Sequence, residues 1–339
     1  MEIGIGMFGD MADNLKTGER MTAQKRLNEL LQQIQLADQV GLDVVSIGEH
    51  HRPDYAVASP EIVLAAAAST TQNIKLSSGV SVLSSTDPVK LYQDFSTVDL
   101  ISNGRAEITL GRGSFIESFP LFGYGLEDYD GLFSEKLDLM LRLNENKPLT
   151  WKGKYRASLY NQEVFPHPVH NRMDLWIAVG GTPASVKRAA TLGLPLVVAI
   201  IGGSLSQFKQ LVQLYKDTYI AAGHDPEKMQ IAVHSHTFVT ATGKDIEEIF
   251  YPYYAAQMDR IGRDRGWRPY SEGQFHFGST KDGAIFTGDP NEIADKILYA
   301  KEMFGLTRFL THIDAGGAPH EDLMKMIELI GDKVAPQVR

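Results

Sequence analysis

The sequence has no cysteine among its 339 residues, which excludes disulfides, thiolate nucleophiles, iron–sulfur clusters and cysteine-based zinc sites. Redox chemistry in such a chain needs a borrowed cofactor. Basic residues are also in the minority, 33 Lys and Arg against 42 Asp and Glu. The formal charge of −9 argues against a nucleic-acid or anionic-membrane surface, where basic residues concentrate. Long apolar runs are missing, and Met1-Glu2-Ile3-Gly4-Ile5-Gly6 lacks the basic region and apolar stretch of a secretory signal. The expectation is a cytoplasmic protein with neither nucleic acid nor membrane as partner. What is present is apolar material, 43% of positions, enough to build one large core.

That material is periodic. An apolar run at 3–9 precedes a stretch to residue 40 in which Leu27, Leu30, Leu31, Ile34 and Ala37 fall at helical spacing. The strand-then-helix unit recurs with strands at 44–48, 74–83, 106–111, 175–179, 196–201, 231–239 and 309–313. The matching helices are read at 60–71, 88–101, 132–143, 183–192, 206–222, 246–262 and 321–334, with Pro60 and Pro88 at first-turn positions. Eight such units, without a Gly-rich fingerprint after the first strand, predict an α/β chain folded as one closed (β/α)8 TIM barrel over residues 1–339. Two segments depart from the repeat, 147–173 and 263–289. Both are expected to form insertion loops on the C-terminal, catalytic face.

In such barrels chemistry sits where strands end. The second strand ends in Gly48-Glu49-His50-His51-Arg52-Pro53, one acid and two imidazoles able to move protons near neutral pH. Adjacent strand residues face opposite ways, so only one histidine need face a cavity. The third strand carries Ser78-Gly79-Val80-Ser81-Val82, small or polar where a barrel uses bulk, and Gly79 lets a planar ring approach closely. The fourth ends in Gly111-Arg112-Gly113-Ser114, where Arg112 offers a fork suited to phosphate. The fifth runs into Gly180-Gly181-Thr182-Pro183-Ala184-Ser185, with Thr182 as helix cap, free amides behind it and two hydroxyls. His234-Ser235-His236 sets two imidazoles on one face of the seventh strand, a spacing that can hold a metal but, with no third ligand to name, is more often structural. Phe115, Phe119, Phe122, Trp151, Phe275 and Phe277 fall in the expected face loops, as pocket walls or as loop packing.

In this order the motifs resemble those of the bacterial-luciferase-like flavin-dependent monooxygenases. The resemblance spans nearly the whole chain, including Ile101-Ser102-Asn103-Gly104-Arg105 and the terminal Ala335-Pro336-Gln337-Val338-Arg339. It implies a barrel, often dimeric, that receives reduced flavin mononucleotide (FMN) from a separate flavin reductase. Reaction of that flavin with oxygen, through a C4a-peroxyflavin, then oxidises a small organic substrate. By the same resemblance His50 is the catalytic acid, base or hydrogen-bonding group beside the flavin, and Glu49 approaches the ring from the same strand end. Gly79-Val80 matches the position of a non-proline cis peptide against the ring, followed by Ser81. Arg112, Ser114, Gly180, Gly181, Thr182 and Ser185 match phosphate and ribityl contacts, and no metal is implied. The chain departs from the luciferase subunit around Tyr129-Asp130-Gly131, where a second phosphate-contacting arginine is missing, and at Gly111, which replaces a thiol. Alternatives are a deazaflavin-dependent dehydrogenase or reductase of the same fold, a non-catalytic flavin-binding protein, and a metal-dependent hydrolase built on His234 and His236.

Overall fold

The apolar runs become strands, numbered here along the chain. They are β1 (Glu2–Met7), β2 (Val44–Ile47), β3 (Lys75–Ser78), β4 (Ser81–Val82), β5 (Ala106–Gly111), β6 (Leu149–Trp151), β7 (Leu159–Gln162), β8 (Asp174–Val179), β9 (Leu196–Ala199), β10 (Ile231–Val239), β11 (Phe286–Gly288) and β12 (Arg308–His312). In the computed structural model, which describes residues 1–113 and 115–339, β1, β2, β3, β5, β8, β9, β10 and β12 pair in that order, and β12 returns to β1. All eight run parallel, so the ring is a closed (β/α)8 TIM barrel. Helices cover its outside, and among the described residues no helix is long and apolar enough to cross a membrane. Pro60 and Pro88 occupy first-turn positions, and Asp87 caps its helix by accepting from the amides of Val89 (2.9 Å) and Lys90 (3.2 Å).

Alternate residues on a strand share a face, so the barrel interior can be followed in layers. At the N-terminal end Arg308 pairs with Glu107 at 3.0 Å and Glu2 at 2.6 Å, with its guanidinium 4.3 Å from the centre of the Trp176 ring. Val44, Trp176, Val197, Ala232 and Leu310 pack above as a closed apolar plug. Toward the C-terminal end aliphatic bulk gives way to Gly6 and Ser46 and to the buried rings of His234, His236 and His312. A Cβ at Gly6 would lie 2.1 Å from His234 Nε2. The glycine therefore makes room for an imidazole inside the barrel.

Three parts of the sequence reading change. The third strand is not continuous: it breaks after Ser78 at a cis Gly79–Val80 peptide and resumes as β4, which pairs β5. The helix Pro290–Phe304, absent from that reading, has clear signals of its own. Asp289 caps it through Asn291 and Glu292, Pro290 opens it, and Ile293, Ala294, Ile297 and Ala300 form its buried stripe. This helix is the seventh barrel helix, and everything from 240 to 289 is an insertion between a strand and its helix. The insertion is itself helical, through Ile246–Ile249, Tyr251–Arg265 and Glu272–Ser279. Finally, 147–173 does not cover the catalytic face. It connects a helix end to a strand start, which topology places toward the N-terminal face, and its β6–β7 hairpin packs along the outer helices. Trp151 Nε1 there donates to Asp138 at 2.8 Å, and the Val169 amide donates to Asp99 at 2.8 Å.

Candidate active site

A cavity of about 820 Å³ opens at the C-terminal end of the barrel. Its walls come from the segments that follow β1, β2 and β9, and from the 240–289 insertion, which contributes Met258, Ile261, Trp267, Tyr270 and Phe277. Of the six aromatics singled out in the sequence, Phe115 and Phe277 line it. Phe119, Trp151 and Phe275 are buried elsewhere, and Phe122 is exposed beside His51. Arg52 ties the rim together, bonding Asp54 at 3.0 Å, Glu117 at 2.6 Å and Asp264 at 2.7 Å, and lying 4.6 Å over the Phe115 ring.

The two adjacent histidines part as strand geometry requires. His51 turns to Glu49, Nε2 to Oε1 at 2.8 Å, whereas His50 turns into the cavity. The His50 ring sits 4.6 Å from Phe8, 4.3 Å from Tyr55 and 5.2 Å from Phe115, and its Nε2 is buried without a partner. Loss of water, with the charges of His51 and Arg52 nearby, drives its pKa down to about 3. The ring is neutral at pH 7. Glu49 is fully engaged, because its Oε2 accepts from the Val82 amide at 2.8 Å while Oε1 meets His51. It fixes the backbone of the Gly79–Ser81 wall. Here Gly79 lies against Ser46, where a Cβ would be 2.0 Å from Oγ, and a Cβ on Gly111 would be 2.6 Å from the Val80 side chain. Ser81 Oγ is buried and unpartnered.

The motifs after the fourth and fifth strands meet at the start of the helix Pro183–Thr191. Arg112 donates to Thr182 Oγ1 at 3.3 Å, pairs with Asp130 at 2.6 Å and lies 5.0 Å over Tyr129. Gly180 and Gly181 have open space where a Cβ would project, and Gly181 has φ +129°. The Ser185 and Val186 amides are already used by the Thr182 carbonyl, at 3.1 and 3.3 Å. Two of the amides at this helix start are therefore taken, and side chains add to the polar groups on offer there. Ser185 Oγ is buried with no partner, and Arg188 Nη1, one turn on, is in the same condition. Ser114 lies outside the described residues. Thus His50 and Gly180 line the cavity, Glu49, Gly79, Val80 and Ser81 form the adjoining wall, and Arg112, Gly181, Thr182 and Ser185 form a second cluster.

Sequence reasoning found His234 and His236 but missed the other groups at the cavity floor, Asp10, His312 and Asp314. His234 Nε2 meets His312 Nδ1 at 3.1 Å, and His312 Nε2 lies 3.4 Å from Asp314. One ring nitrogen of the His234–His312 pair donates and the other accepts, while the approach of His312 to Asp314 is a looser contact. His236 pairs with the Tyr254 hydroxyl at 2.9 Å. Burial drives His234 down to about 4 and His236 to about 3, and holds His312 far below the ordinary range. The two strand histidines are thus engaged with separate partners rather than converging on one point. Among the described residues the group with metal-like spacing is Asp10, His312 and Asp314. Asp314, however, already holds Arg26 at 2.8 Å and the amides of Phe8 and Gly9 at 3.0 and 2.8 Å. One oxygen of Asp314 is thus already paired with a guanidinium, and the other accepts from the Phe8 amide. Beside it Asp10 accepts from the Gly316 amide at 2.9 Å and leaves Oδ1 buried and unpartnered. Burial, and then the Asp314 charge, push its pKa well up. Applying the strand-end rule to β1 and β12 would have found Phe8, Asp10 and Asp314; Arg188 lies within a helix and carries no such signal.

A TIM barrel with an aromatic cavity at its strand ends and a polar, hydroxyl- and guanidinium-bearing cluster beside it is the frame of an enzyme acting on a small ligand. The chain matches the luciferase-like monooxygenases over residues 1–307 and belongs to that family, a family of oxidoreductases. The oxygenase component of a flavin-dependent trigonelline monooxygenase from Acinetobacter baylyi is 24% identical, over 71% of this chain and 69% of its own. Among solved structures, monooxygenase RslO1 from Streptomyces bottropensis superposes with a TM-score of 0.84 at 22% identity, over 100% of both chains. The oxygenating constituent of 3,6-diketocamphane monooxygenase from Pseudomonas putida, in complex with FMN, gives 0.79 at 22% identity, over 100% of this chain and 99% of that one. An F420-dependent secondary alcohol dehydrogenase gives 0.75 at 21% identity, over 100% of both.

Proposed function

We propose that the protein is a two-component monooxygenase that takes reduced FMN from a separate flavin reductase and uses it with oxygen to oxidise a small organic substrate. The observation that carries this reading is a set of buried, unpartnered polar atoms, Ser185 Oγ, Arg188 Nη1, Ser81 Oγ and His50 Nε2, spread across the cradle, wall and cavity. Buried polar groups lacking partners are costly. A ligand with a phosphate at one end and a polar ring at the other would satisfy them, and open space at Gly180 and Gly181 leaves room for the chain between.

Bound reduced FMN would supply the electrons that activate oxygen. Arg112, Thr182 and Ser185 hold the phosphate in this reading, while Gly180 and Gly181 admit the ribityl chain. Glu49 keeps the Gly79–Ser81 backbone in place by anchoring Val82. Neutral His50 presents Nε2 to the reacting edge, where it gives or takes a hydrogen bond without bringing a charge into the aromatic cavity. Phe8, Tyr55 and Phe115 around it exclude water. The small-molecule substrate occupies the part of the cavity walled by the 240–289 insertion. Exposed Ile62, Leu100 and Ile101, on two helices that pack together, support a homodimer, which light scattering would test.

The deazaflavin reading has one observation in its favour, the fold shared with the F420-dependent dehydrogenase. Stopped-flow mixing of the protein with anaerobically reduced FMN and then oxygen separates the two. Flavin oxidation with a time course altered by the protein is expected; oxidation indistinguishable from free flavin, with F420 binding instead, would overturn the monooxygenase proposal.

A further inference from the structure

The luciferase-like pattern departs at Tyr129-Asp130-Gly131, where the loop after the fourth strand carries no second arginine for a phosphate. In the folded chain a guanidinium reaches the same cluster from another element. Arg188 stands three residues after Ser185 on the helix Pro183–Thr191, so the two side chains share a face. Both point a buried, unpartnered donor: Ser185 is 6% exposed with its Oγ unbonded, and Arg188 Nη1 is buried with no acceptor. Arg188 lies 5.3 Å over the Phe133 ring and is within electrostatic reach of Arg112 and Asp130. Asp130 is paired with Arg112 at 2.6 Å. Arg112, Arg188, Thr182 and Ser185 thus gather at this helix start near the Asp130 carboxylate, and Arg188 Nη1 and Ser185 Oγ are short of an acceptor.

We infer that Arg188 supplies the second phosphate-binding guanidinium, recruited from within the helix after the fifth strand in place of the missing loop arginine. The inference rests on the FMN reading above and adds a specific residue to it. A dianionic phosphate brings the oxygens that Arg188 Nη1 and Ser185 Oγ lack and balances the surplus positive charge. The phosphate would be gripped between Arg112 on one strand end and Arg188 on the facing helix, with Thr182 and Ser185 below. Charge-assisted bonds of this kind are among the strongest a site can form.

The test compares binding of FMN and riboflavin, which differ by the phosphate alone, to wild type and to Arg188→Gln. Wild type is expected to prefer FMN, and Arg188→Gln to lose roughly ten- to a hundredfold in FMN affinity while its riboflavin affinity stays the same. An unchanged FMN preference in Arg188→Gln would overturn the Arg188 assignment and leave the cofactor reading intact. Equal binding of both flavins by wild type would overturn the cofactor reading and this inference together. A second measurement needs no variant: arginine modification by phenylglyoxal on wild type, mapped by mass spectrometry. Protection of Arg188 by FMN but not by riboflavin is expected; equal modification with and without FMN would sink the inference.

Discussion

Arg112 donates to the hydroxyl of Thr182 at 3.3 Å, joining the end of one barrel strand to the helix start that follows the next, 70 residues further along the chain. The contact brings two sequence motifs to one place and positions the guanidinium. Removing the hydroxyl with Thr182→Ala should weaken FMN binding roughly three- to tenfold, the usual effect of one lost hydrogen bond. Fluorescence titration reads this directly, and an unchanged constant would show that the phosphate sits elsewhere.

Glu49 serves the backbone rather than the ligand, since both its oxygens are bonded within the protein. Glu49→Ala leaves the buried Val82 amide without an acceptor and should cost about 2–3 kcal/mol of unfolding free energy. Glu49→Gln keeps an acceptor and should cost less than half as much. Urea denaturation of the pair tests the assignment; equal losses would mean that the carboxylate charge, not the amide bond, matters.

The buried histidines make the protein sensitive to acid. His234 is held down to about 4 and His236 to about 3 in the folded state, against about 6.5 when unfolded. A lowered folded value means that stability is present above pH 6.5 and is lost as the unfolded chain takes up protons below it. Each ring should cost about 2 kcal/mol between pH 7 and pH 5. The urea midpoint should fall across this range, and less steeply in His234→Gln; identical slopes would contradict the buried neutral state.

Asp10 has the opposite sign. Its folded pKa is raised, first by burial and then by Asp314, so its contribution to stability is largest below the unfolded value and is lost as pH rises above it. Asp10→Asn should therefore keep or raise the thermal midpoint at pH 8. Chelation by EDTA should leave wild type unchanged, because Asp314 already spends Oδ2 on Arg26 and the Gly9 amide. A midpoint lowered by EDTA would reassign Asp10, His312 and Asp314 as a metal site.

Arg52 closes the cavity rim by holding Asp54, Glu117 and Asp264 together. Arg52→Gln removes a cation from three carboxylates and should cost about 3 kcal/mol, the low end for breaking a buried ion pair, since only Asp54 among the three is fully buried. It should also speed hydrogen exchange in the segments around Glu117 and Asp264 without affecting the barrel strands. Exchange unchanged at Asp264 would mean that the insertion is held by its apolar packing alone.

Much of this molecule was legible in its sequence, and for physical reasons. Eight apolar runs spaced by amphipathic stretches admit few folds, and all eight barrel strands lie where the runs fall. The strand-end rule pointed to His50, Arg112 and Thr182, and alternation along a strand anticipated that His50 and His51 would part. The break at Gly79–Val80 was marked by small residues in a strand. Less legible was anything that depends on which element an insertion follows. Reading 246–262 as the barrel helix hid the helix Pro290–Phe304, and 147–173 was assigned to the catalytic face although it joins a helix end to a strand start.

The sequence by itself determined the barrel, the absence of thiol chemistry and the short motifs at strand ends, because periodicity and residue type act locally. Only the tertiary structure decided that Glu49 braces a backbone wall, that His234 and His236 turn to separate partners, that Asp10 and His312 floor the cavity, and that Arg188 Nη1 is buried without an acceptor. These are contacts between residues far apart in the chain, fixed by closing the ring and by which groups burial leaves with partners or without.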